Sequence, residues 1–215
     1  MVIGIPLSMT FRHRPDQYGE FPDGVPPLDP PSGGHHPPIP VFSYARIIRT
    51  EAFWVLGIVN SLWIFAHTGV VAHIIPALTL DAHASLALAG IAASAIPIFS
   101  IFGRLGMGTI ADYYDKRLIM IASMASQLIG LIVLAIGISS SWGIMIAMAF
   151  YGFGIGGYIP VRRALQADIF GSRDFGKVMG SMEIIALAGG LAGPVFAGRV
   201  ADVHNSYQLA FQVFS

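Results

Sequence analysis

Five apolar stretches, each long enough to cross a bilayer, follow one another through residues 52–200 with only short polar turns between them. Hydrocarbon offers backbone N–H and C=O groups no partner, so a lone strand cannot cross it and a helix must close its hydrogen bonds within itself. About 20 apolar residues of helix complete one crossing. The stretches run 52–78, 84–111, 118–138, 142–165 and 178–200, and a further one begins at 207–215. The expected fold class is therefore an all-α integral membrane protein. Composition points the same way. The chain is 54% hydrophobic and 11% charged, against about 25% charged residues in a soluble domain. Formal net charge is zero, so nothing argues for nucleic acid as a partner; membrane lipid is the expected surroundings. Cysteine is absent, which removes disulfides, a thiolate nucleophile and a cysteine metal site.

Residues 1–11 read as the end of a further membrane helix, and 12–51 as a polar connector holding most of the 14 prolines. Proline fixes φ and has no N–H, so FPDGVPPLDPPSGGHHPPIP forms neither regular helix nor strand. His35 and His36 fall in this stretch without a third ligand, and no metal or cofactor is expected. With the connector in the cytoplasm and the spans alternating, Arg12, Arg14, Arg46, Arg49, Lys116, Arg117, Arg173 and Lys177 all fall on the cytoplasmic side. That is a positive-inside distribution. It predicts a multi-pass protein of a plasma or bacterial inner membrane.

Charges inside spans cost about 2.5–3.5 kcal/mol at the helix centre on insertion scales, so each one present asks for a reason. Arg104 lies roughly 12 Å from the cytoplasmic edge of the second span and Glu183 roughly 9 Å into the fifth, at 1.5 Å rise per residue. The two are expected at similar depth, either paired across a cavity or facing an aqueous path. There the planar fork of an arginine suits a carboxylate. The competing reading of Arg104 is a snorkel to the headgroups; that of Glu183 is a buried ion pair or a protonated acid. Arg162 and Arg163 point about 100° apart on one helix, so at most one faces a cavity squarely. Arg163 and His67 complete the candidate substrate-binding set.

The second span ends in GRLGMGTIADYYDKR, residues 103–117. Lys116 and Arg117 are expected to offset the negative end of that helix, whereas Asp112 there needs a partner elsewhere. Small residues in GSMEIIALAGGLAGP, residues 180–194, let helices approach closely.

These residues resemble the major facilitator superfamily. Its loop signature, G-x3-D-[RK]-x-G-[RK]-[RK], stands here as Gly108, Asp112, Lys116 and Arg117, with Tyr113 in place of a basic residue and Asp115 in place of glycine. Gly180, Gly189, Gly193 and Pro194 are similar to the family's glycine-proline packing motif. RHRPDQYGEFPDG and GRLGMGTIADYYDKR look most like the monocarboxylate and oxalate/formate branch, in which an arginine four residues before the loop glycine contacts the substrate carboxylate; Arg104 holds that place. The resemblance implies helices 7 to 11 of a twelve-helix transporter, with stubs of helices 6 and 12, and a six-helix N-terminal half as the partner of this chain. It implies a substrate site at the midplane between halves and transport by alternating access.

The function expected is transport of a small organic anion, a monocarboxylate or dicarboxylate, by symport with a proton or by antiport. Arg104 would hold the carboxylate, and Glu183, Arg163 or His67 would tune it or carry a proton. The alternative is a truncated, non-transporting membrane fragment or a helical interaction partner. An enzyme is not expected, because no HExxH, GxSxG or paired-carboxylate spacing is present at a membrane face.

Overall fold

The structure, a computed structural model, describes residues 44–136, 140–171 and 175–215. The expected helix end at 1–11, most of the connector, His35, His36, Arg12, Arg14 and Arg173 lie outside the described residues. Past the last connector proline, one short turn forms, α1 (Tyr44–Ile47). Five membrane-length helices follow: α2 (Glu51–Leu80), α3 (Leu86–Tyr113), α4 (Lys116–Ala135), α5 (Ser141–Phe170) and α6 (Phe175–His204). A short α7 (Gln208–Phe214) closes the described chain.

Side chains that replace missing intrahelical acceptors mark where these helices start. Thr50 caps α2, Ser85 caps α3 and Ser140 caps α5, each accepting from the backbone N–H three residues on. Asp115 caps α4, accepting from the Arg117 N–H at 2.8 Å. The residue that departs from the loop signature thus has a local task. Gly171, at φ 76°, ends α5. The helices overrun the apolar stretches because a helix continues until a cap or breaker stops it. For example, α5 reaches Phe170, where hydropathy alone stops at 165.

One consequence overturns an expectation. Lys116 and Arg117, expected in the turn before a span starting at 118, belong to the first turn of α4, since only Tyr114 and Asp115 separate the helices. A cation at a helix N-terminus is unfavourable to that dipole. Lys116 is held instead by Asp168 of α5.

The bundle is organised around α5. Its most apolar stretch is 61% buried, whereas those of the other four membrane helices are 22–33% buried. α3 and α4 both pack along α5, and α2 packs along α6. Backbone-to-backbone approach makes these pairings, and it requires residues without a Cβ. On α6, a methyl added at Gly189 or Gly193 would overlap the carbonyl oxygens of Ser61 and Phe65 on α2. On α5, a methyl at Gly156 would overlap the Ser100 carbonyl of α3, and one at Gly154 would stand 2.5 Å from the Ser123 carbonyl of α4. Pro194 has no N–H for the Gly190 carbonyl one turn back. The Thr68 hydroxyl of α2 lies 3.2 Å from that oxygen. Gly180, expected with this set, has nothing within 4 Å of its Cβ position.

At the far end from the charged turn, His73 of α2 ties three elements. Its Nε2 donates to the Pro194 carbonyl at 3.0 Å, which leaves Nδ1 to accept from the Tyr207 hydroxyl at 3.3 Å. The Tyr207 N–H donates to Asp81 at 2.8 Å.

Gly193→Ala is expected to cost about 1–3 kcal/mol, because the α2–α6 contact must open to admit a methyl. Gly180→Ala should be neutral or stabilising, as alanine is the better helix former. Thermal unfolding of the purified protein in detergent, followed by circular dichroism, checks the contrast.

Candidate functional site

Tyr158, Arg162 and Gln166 recur at i, i+4 and i+8, so they share one face of α5. That face turns inward: all three side chains are buried, Arg162 at 6% relative exposure. Arg163 points away and is exposed. Both guanidiniums reach Glu183 of α6. Arg162 Nη2 and Arg163 Nη2 each donate to Glu183 Oε1 at 3.2 Å. One carboxylate oxygen therefore serves two cations, and the trio formally keeps one positive charge uncompensated. Arg162 also lies over the Tyr158 ring, 5.8 Å from its centroid. Such a face donates part of the stabilisation that water would have supplied.

This arrangement differs from the expected Arg104–Glu183 pair. Similar depth on two helices does not fix azimuth, and the azimuth of Glu183 faces α5. Arg104 is exposed on α3, beside Gly103, which fits against Phe153 and Gly157 of α5. Among the described residues Arg104 has neither ion pair nor side-chain hydrogen bond. The expected binding set is thus divided: Glu183 and Arg163 meet, with Arg162 added, while Arg104 and His67 stand elsewhere.

His67 lies in a second polar group. Trp63 stacks between the His67 ring, at 4.9 Å, and the Tyr158 ring, at 4.3 Å. Its indole N–H donates to Gln127 Oε1 at 2.9 Å, and His67 Nδ1 is 3.4 Å from the Tyr151 hydroxyl. Trp63, His67, Gln127 and Tyr151, with Ser215, form the polar part of the wall of a largely apolar cavity of about 500 Å³ between α2, α4, α5 and the end of α7. The stack joins the two groups, since Tyr158 touches Trp63 on one side and Arg162 on the other.

At the charged turn, Lys116 Nζ is 2.5 Å from Asp168 Oδ2, which fixes the start of α4 to the end of α5. Asp112 is exposed on the last turn of α3, and among the described residues it has no ion pair or hydrogen bond through its side chain. Gly108 faces α5 loosely, its Cβ position 4.0 Å from Pro160.

Arg162 is weighed beside Arg163 in the sequence but lies outside the expected binding set, and Asn60, Gln166, Trp63 and Gln127 are not marked there at all. The signal for Arg162 was available in the i, i+4, i+8 recurrence with Tyr158 and Gln166. Nothing in the sequence alone says which side of α2 faces α5.

A bundle of five long, apolar helices is the form of a multi-pass integral membrane protein. Residues 54–215 match the Major Facilitator Superfamily, and the chain belongs to that family. It is similar to Monocarboxylate transporter 7 of Homo sapiens, 29% identical over 121 residues, which cover 55% of this chain and 23% of the relative. It is similar to the 4-hydroxybenzoate transporter PcaK of Pseudomonas aeruginosa, 36% identical over 102 residues, covering 47% and 22%. Multidrug resistance protein MdtG of Proteus mirabilis is 27% identical over 124 residues, covering 57% and 30%. The matched stretches thus span less than a third of these relatives' own length.

Lys116 and Asp168 are 28% and 53% exposed, so their pair is screened. Lys116→Ala and Asp168→Ala are each expected to cost no more than about 1 kcal/mol, falling with added salt. Thermal unfolding in low and high salt checks this.

Proposed function

We infer that this chain is the C-terminal half of a secondary transporter that moves a small organic anion by alternating access, its connector facing the cytoplasm. The observation that carries this reading is the buried Arg162, which shares its one carboxylate, Glu183, with the exposed Arg163. An uncompensated cation in hydrocarbon is costly. An entering carboxylate neutralises it. Two relatives support the class by name, one a monocarboxylate and one a 4-hydroxybenzoate transporter.

Arg104 is the residue assigned to first contact with the carboxylate. It is exposed, carries five donors in a fixed fork, and has no protein partner among the described residues. Glu183 is the exchangeable group, either as counter-charge or as proton carrier, and Arg163 steadies it. His67 lines the neighbouring cavity. Asp112 is assigned as a latch whose cation lies on an N-terminal six-helix half, while Gly108, Lys116 and Arg117 shape the turn that carries it.

Uptake of labelled lactate or benzoate into proteoliposomes holding the complete transporter tests the assignment. Arg104→Ala is expected to lower kcat/KM by about 10–100-fold, and Arg104→Lys to recover only part of it. Uptake with wild-type KM in both variants removes Arg104 from the site. Carboxylate uptake that is absent in the wild type as well removes the organic-anion reading.

A further inference from the structure

Apart from the main core, a second buried apolar cluster forms at the connector end of the bundle. It holds Ile47 of α1, Phe53 of α2, Phe170 of α5, and Val178 and Met182 of α6. Each is at most 8% exposed, and Ile47 is 2%. A four-residue turn has no core of its own and does not hold its shape in isolation. Ile47 is therefore buried by what α1 is fastened to.

The fastenings run to two helices. On the α2 side, the Thr50 hydroxyl donates to the Ile47 carbonyl at 2.6 Å, and the Trp54 indole N–H donates to the Ile48 carbonyl at 3.0 Å. On the α6 side, the Ser181 hydroxyl gives its proton to the Lys177 carbonyl at 2.7 Å, so it accepts from the Tyr44 hydroxyl at 2.6 Å. α1 thus bridges α2 and α6. The cluster beneath it also reaches α5, where the rings of Phe53 and Phe170 meet edge-on with centroids 6.5 Å apart.

What the cluster covers is polar. Phe170, Gln166 and Arg162 recur at four-residue steps on one face of α5, and all three are buried. At 1.5 Å per residue, Phe170 lies roughly 12 Å nearer the connector end than Arg162. Gln166 stands between them, its Nε2 donating to Sδ of the cluster's Met182 at 3.2 Å. Gln166 Oε1 and Arg162 Nε and Nη1 have no hydrogen-bond partner among the described residues. Water that passed the cluster would be bound there.

We propose that α1 is a detachable plug: Ile47, held down by Tyr44 on Ser181 and by Thr50, closes the connector end of the seam between α2, α5 and α6 and keeps water from the polar face of α5. One hydroxyl pair and one buried aliphatic side chain hold α1 to α6, whereas α2 and α6 meet backbone to backbone at Gly189 and Gly193. The plug therefore comes away before those helices part. α1 belongs to the connector, so tension in the connector acts on α1 before it reaches α2. The device works whichever solute the bundle carries.

The chain has no cysteine, so one introduced thiol reports access. Gln166→Cys is labelled with a charged methanethiosulfonate on the purified chain in lipid nanodiscs. Leu78→Cys, buried in the main core at the opposite end of α2, is labelled in parallel. With α1 unaltered, both thiols are expected to react slowly. Ile47→Asn should speed labelling at position 166 about tenfold or more, and Tyr44→Phe about threefold, with position 78 unchanged in each. Circular dichroism reports that helicity is retained, and Tyr44→Phe, which removes a single oxygen, decides the matter where Ile47→Asn does not fold. Fast labelling at position 166 with α1 unaltered overturns the proposal. So does labelling there that stays slow in the folded variants. An equal rise at position 78 overturns it as well, because the whole bundle has then loosened.

Discussion

A guanidinium buried among membrane helices must find negative charge or leave the membrane, and in this bundle Glu183 supplies that charge. Arg162 is buried and its nearest anion is 21 positions along the sequence, on a different helix. The pair is the main polar link between α5 and α6, which otherwise touch little. A buried ion pair is weak evidence of stability, because desolvation offsets much of the attraction. Two cations on one carboxylate oxygen make that balance worse.

The apolar packing makes such a site possible. α5 is gripped on two sides by backbone contacts through glycine, to α3 at Gly156 and to α4 at Gly154. α6 is joined in the same way to α2 at Gly189 and Gly193. Two tightly joined groups, α3–α4–α5 and α2–α6, result, with fewer contacts between them. Polar side chains collect where the groups face each other: Trp63, Tyr158, Arg162 and Glu183. Glycine-mediated packing sets each group internally, and Arg162 meets Glu183 across the looser seam between them.

How much of this was legible from sequence depended on range. Hydropathy is a local property, so five crossings and the charged turn could be read directly. Cap positions are local too. Asp115 before KRLIMI is an ordinary helix start, but comparison with the loop signature presented it as a lost glycine. Azimuth was the missing quantity. Depth along a helix follows from counting at 1.5 Å per residue, which put Arg104 and Glu183 at similar levels. The direction each side chain takes around its helix depends on which neighbour the glycines allow to approach. Arg162 and Arg163 show this most plainly, since adjacent residues took opposite fates, one buried and one exposed. The third span was expected to start at Leu118, but Asp115 caps the helix and brings Lys116 and Arg117 into its first turn.

Everything above turns on the coupling of the buried Arg162 to Glu183. A double-mutant cycle on Arg162→Gln and Glu183→Gln, read by thermal unfolding in nanodiscs, measures that coupling directly. Non-additivity of about 1–3 kcal/mol is expected, with the double variant more stable than the sum of the single changes implies. Additivity within about 0.3 kcal/mol would mean that the two side chains are solvated independently, and would contradict it.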